Sequence, residues 1–137
     1  MNLIERHADE LTMSLLRDLR QHVGTPTYHS YNQIELYNRA FNVYSHIGKW
    51  ISRETTKEDI AKLYMDLGAQ RKAEGFSLSE VIQSLIIARR HIWLKVQSEG
   101  FLDTILDLSQ AMELNNRVVL FFDRAIYYTV VGYEQKD

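Results

Sequence analysis

Apolar residues in this chain recur every three or four positions, the spacing of amphipathic helices, and no segment alternates with period two for long. Ile4, Ala8, Leu11, Leu15 and Leu19 share one face and predict a first helix from about Leu3 to His22. Asn2 and Glu5 form its capping pair, and Gly24 and Pro26 stop it. The stretch VGTPTYHS reads as the longest loop. A second helix, capped by Ser30 and Gln33, carries the stripe Ile34, Tyr37, Phe41, Tyr44, Ile47 and Ile51. A third, capped by Thr55 and Glu58, turns Ile60, Leu63, Tyr64 and Leu67 one way. A fourth is expected from Leu78 to about Glu99, ended by Gly100. A fifth runs from about Leu102 to Tyr133, close to 50 Å at about 1.5 Å per residue, with Asn115 and Asn116 marking where it would break. The expected fold is an all-α five-helix bundle with a long C-terminal helix, one helical domain spanning residues 1–137.

The joint between the third and fourth helices, RKAEGFSLSEV, is the most polar stretch before a long apolar run. Gly75 suits a helix C-terminus because glycine accepts the left-handed conformation there. Ser77 and Glu80 have capping-box spacing, and Phe76 with Val81 have the spacing of a hydrophobic staple. Each residue of the joint thus has a structural job without any catalytic one.

Charged residues also fall where the helical period expects apolar ones. Arg89 lies between Leu85 and Ile92 on the expected inner side of the fourth helix. Arg71 shares the face of Ile60, Tyr64 and Leu67, with Glu74 beside it; Asp123 sits with Val119, Ile126, Tyr127 and Val130. An ion buried without a partner is strongly disfavoured, so Arg71 and Arg89 are expected to pair with Glu74 and Asp123 in one internal cluster. The alternative is that the arginine stems lie on the core and their heads reach water.

The last two helices carry apolar residues on their other flanks as well. Ile87 and Leu94 lie opposite the expected inner face of the fourth; Leu114, Val118, Phe121, Ala125 and Tyr128 make a second stripe on the fifth. Two apolar flanks require two covers. One is the core, and the second is expected to be another copy of the chain, so that Ile87, Leu94, Leu114, Val118, Phe121 and Tyr128 form a dimer surface; the alternative is a central helix covered on all sides within one chain.

Composition narrows the function. The 137 residues carry a net charge of −2, against an electrostatic nucleic-acid binder, and no cysteine, which excludes disulfides and thiolate chemistry. No leader sequence or membrane span is expected, and a cytoplasmic location fits. There is no phosphate-cradling glycine loop, no HExxH and no glycine-flanked serine. His7, His22, His29, His46 and His91 are scattered, which argues against zinc; a lone haem ligand would be His46 or His91. No cofactor and no enzymatic activity are expected.

Read together, GAQRKAEGFSLSEVIQSLIIARRHIW and FFDRAIYYTVVGYE resemble the N-terminal sensor domain of RsbR/RsbRD type. Such domains are input modules fused to STAS domains of stressosome proteins or to histidine kinases. The resemblance implies a non-enzymatic sensory domain, globin-like without haem and dimeric, acting on a fused or separate STAS or histidine-kinase output domain. It directs attention to Arg71, Glu74, Gly75, Glu80, Arg89, Arg90 and Asp123. The chain ends four residues after Tyr133, so it is expected either to be an excised domain or to act alone. The other reading is a globin-like sensor that binds haem or a small ligand.

Overall fold

The computed structural model describes residues 2–52, 55–98 and 105–135, with side chains from residue 4 and, in the last helix, from residue 108. The described residues form helices and no strand: α1 (Asn2–Arg6), α2 (Ala8–Gln21), α3 (Pro26–Ser30), α4 (Gln33–Ser45), α5 (Ile47–Trp50), α6 (Lys57–Ala73), α7 (Leu78–Ser98) and α8 (Ile105–Glu134). The all-α bundle is as expected, but eight helices stand where five were predicted.

The extra helices come from local interruptions. The predicted first helix breaks at His7, whose φ of −106° and ψ of 21° are not helical. The second divides at His46, where the ring Nδ1 donates to the Asn42 carbonyl oxygen and offers the backbone an alternative to the helical ladder. The predicted loop holds α3: Pro26 opens it, and the Thr25 hydroxyl donates to the Leu19 carbonyl oxygen to fix its entry. Caps shift by one or two residues. Asn32, not Ser30, accepts the Glu35 amide at the start of α4. Thr56 and Asp59, not Thr55 and Glu58, form the capping box of α6. The α8 helix passes through Asn115 and Asn116 unbroken. The Asn2 side chain and the predicted boundaries at Glu99, Gly100 and Leu102 lie outside the described residues.

The most extensive packing is between α6 and α8, with α2 against α4 and α7, and α7 against α8. Two glycines permit the first contact. A Cβ added at Gly68 would stand 2.1 Å from the Thr129 carbonyl oxygen, and one at Gly132 2.0 Å from that of Met65. The expected stripe of the first helix, from Ile4 to Leu19, is buried throughout.

Two expected faces are corrected. On α4, Leu36 and Tyr44 are buried, while Ile34 is 75% exposed and Tyr37, half-buried against the core, stacks on the exposed Phe41 with ring centroids 5.7 Å apart. On α8 the inner and outer flanks are exchanged. Leu114, Val118, Phe121 and Ala125 belong to the protomer's own core, whereas Asp123 and Tyr127 face outward. Both flanks of α8 are apolar, and the small residues decide between them: Ala111, Ala125 and Gly132 lie on the flank that meets α6 closely. Helix α7 lies between α2 and α8, so Ile87 and Ile92 are both covered. Of the expected dimer surface, Ile87, Leu114, Val118 and Phe121 are therefore internal, Tyr128 is half-buried against the core, and Leu94 alone is well exposed.

Candidate functional site

The α6–α7 joint is built as its sequence implies. Gly75 has φ of +91°, and two hydrogen bonds close the α6 terminus: the Phe76 amide donates to the Arg71 carbonyl oxygen and the Gly75 amide to that of Lys72. The Glu80 carboxylate accepts the Ser77 amide and hydroxyl, and the Glu80 amide donates to Ser77 Oγ at 3.4 Å. Beyond the capping box, the same carboxylate accepts the amide and hydroxyl of Thr27, tying α3 to the joint. Phe76 and Val81 are both buried, and Phe76 packs between Tyr28 and Tyr31, with ring centroids at 4.6 and 4.9 Å. Its carbonyl oxygen accepts the Tyr133 hydroxyl at 2.6 Å, so the last turn of α8 also ends here.

The four expected cluster members form two separate pairs. Arg71 Nη1 donates to Glu74 Oε1 at 3.2 Å, with both side chains largely buried. Arg89 meets Asp123 at 3.6 Å, and both of those reach solvent. Arg90 is exposed. The member missed in sequence is Arg39, which grips Glu74 through two parallel bonds, Nη1 to Oε1 at 3.0 Å and Nη2 to Oε2 at 2.6 Å. Its Nε donates to Glu35 at 3.0 Å. Burial works to raise the pKa of Glu74, but the hydrogen bonds from Arg39 and Tyr31 and the charge of Arg71 overcome it and hold the carboxyl below its ordinary value. Arg71 is also lowered from its ordinary value, by burial and by the like charge of Arg39.

These arginines border a cavity of about 100 Å³ between α2, α3, α4, α6, α7 and α8. Its wall is mainly apolar: Leu15, Leu16 and Leu19 from α2, Leu36 and Val43 from α4, Leu67, Val81, Leu85 and Phe122. Polar groups enter it from Arg71, Tyr64, Tyr28 and Ser84. The Tyr28 hydroxyl donates to Ser84 Oγ at 3.2 Å and the Tyr44 hydroxyl to the Ala88 carbonyl oxygen at 2.9 Å. Burial raises the pKa of Tyr44 and Tyr64 far above the ordinary tyrosine value. The histidines stand apart from this space. His91 Nε2 lies 2.6 Å from Asp18 Oδ2, His46 bonds within its own turn, and neither lines the cavity.

Among the described residues no helix is long and apolar enough to cross a membrane. No curated protein and no solved structure matches the chain. One family does: the N-terminal domain of the RsbT co-antagonist protein rsbRD, whose model matches residues 42–136. That span takes in Arg71, Glu74, the Gly75–Ser77–Glu80 joint, Arg89 and the described length of α8. The match covers most of the chain, and the protein belongs to the rsbRD N-terminal domain family, regulatory input domains of the stressosome type.

Proposed function

We propose that the protein is a non-enzymatic, cytoplasmic input domain that works as a homodimer and passes a change in packing along α8. The receiver is a STAS or histidine-kinase output domain, fused or separate, and neither nucleic acid nor membrane is a partner. The observation that carries the dimer is the outer flank of α8, where Leu120 is 50% exposed, Met112 55% and Tyr127 62%, with Leu94 of α7 also uncovered. A 30-residue helix with apolar flanks on both sides is half-covered by its own protomer. A second copy supplies the same helix, and two such flanks match each other about a twofold axis. Signalling then consists of a shift between two arrangements of the pair, biased by whatever binds one of them better.

Sedimentation equilibrium tests the assembly. The expected mass is twice the chain's 16.1 kDa, returning to one chain when Leu120→Glu and Tyr127→Glu are combined. A mass of 16.1 kDa at high micromolar concentration overturns the dimer.

A further inference from the structure

We infer that the cavity bordered by Arg71 binds a short aliphatic monocarboxylate. This inference rests on the sensory reading above and names the class of ligand that would be sensed.

The charge comes first. Arg71 is 7% exposed, yet only Nη1 makes a hydrogen bond, to Glu74 Oε1; its other N–H groups have no acceptor among the described residues. That oxygen is already shared, because Arg39 Nη1 reaches it at 3.0 Å. One carboxylate therefore serves two guanidinium groups. Glu35 adds a bond to the outer edge of Arg39, but its side chain is half-exposed and solvent screens it. Glu80 is taken up by Ser77 and Thr27. Arg39 and Arg71 are balanced in charge by Glu35 and Glu74, but Arg71 keeps donors at the cavity edge that no acceptor among the described residues takes up. A buried guanidinium gains most from a monoanion that accepts two bonds in its plane, and a carboxylate has that shape.

The apolar wall supplies the rest. Removed from the charged edge, the space is enclosed by leucines, Val43 and Phe122, which favour an aliphatic body over a sugar or nucleotide. Size bounds that body. An engineered cavity of about 150 Å³ holds benzene, so about 100 Å³ takes roughly four carbon atoms, with the carboxylate oxygens at Arg71. Tyr64 lines the same cavity, and its hydroxyl makes no hydrogen bond among the described residues. Long-chain fatty acids exceed the space.

Isothermal titration calorimetry with isobutyrate on the full chain tests the inference. Saturable binding of one isobutyrate per chain is expected, weakened at least about tenfold in Arg71→Met, the loss of a charge-assisted hydrogen bond. Ala40→Leu, which adds bulk to the cavity wall, is expected to abolish binding while circular dichroism remains that of the folded protein. It carries the test if Arg71→Met fails to fold. Absence of saturation at millimolar isobutyrate overturns the inference, as does equal binding of isobutanol, which lacks the charge. Undiminished binding to Ala40→Leu overturns the location. The sedimentation result is independent of all three, so a monomeric chain that binds isobutyrate, or a dimer that does not, separates this inference from the proposed assembly.

Discussion

Gly68 and Gly132 bring α6 and α8 together backbone to backbone: each faces a carbonyl oxygen of the opposite helix where even a Cβ does not fit. Neither obstacle is the end of a flexible side chain, so the helices themselves must separate to admit a methyl group. Gly68→Ala and Gly132→Ala are each expected to cost about 3 kcal/mol or more, read as a lowered urea midpoint. The gain in helix propensity from glycine to alanine, about 1 kcal/mol, is too small to offset this.

Gly75 makes the opposite case. A Cβ there meets nothing within 4 Å, and the constraint is the φ of +91° alone. Gly75→Ala is expected to destabilise by about 1–2 kcal/mol, the cost of a left-handed residue with a side chain, with Gly75→Asn milder. Ser77→Ala is expected to cost about 1 kcal/mol through the lost cap. Equilibrium unfolding in urea measures all three.

Glu80 makes stability depend on acid. Burial raises its pKa, but the hydrogen bonds from Ser77 and Thr27 outweigh burial and hold the folded carboxyl below its ordinary value of 4.5. A depressed carboxyl contributes stability that is complete above the unfolded value and lost as pH falls through the folded one. The stability gap between the wild type and Glu80→Gln is therefore expected to be constant from neutral pH to about 5 and to close below 4.5. A gap that persists unchanged into strong acid would mean that the carboxylate charge contributes nothing.

The two ion pairs should respond differently to the same substitution. Arg89→Met breaks a pair that reaches solvent at both ends and is expected to change stability by no more than about 0.5 kcal/mol. Arg39→Met removes a two-bond grip on Glu74 and is expected to cost about 2 kcal/mol. Thermal or urea unfolding of the two variants side by side checks the contrast.

Local features proved the most legible in sequence. The Gly75–Ser77–Glu80 joint is specified within six residues by backbone hydrogen-bonding needs, and the structure builds it as read, apart from the added reach of Glu80 to Thr27. The all-α fold and the family were legible for similar reasons. The orientation of α8 was not, because periodicity cannot rank two apolar flanks. The deciding signal lay in the small residues, Ala125 and Gly132 together with Gly68 on α6, which mark where helices approach closely. Arg39 was legible and overlooked: on α4 it occupies the arc of Leu36 and Val43, the same anomaly that drew attention to Arg71 and Arg89. The cavity had no sequence signal at all, since it is a gap left between residues of six helices that are distant along the chain.

The ring of Phe76 touches Tyr28 on the cavity wall, and the carbonyl of the same residue holds the Tyr133 hydroxyl in the closing turn of α8. Two contacts thus link the cavity wall to the last turn of α8. A displaced Tyr28 ring would press on Phe76, whose carbonyl holds the last turn of α8, so under the proposed transmission through that helix the path from cavity wall to helix end is two contacts long.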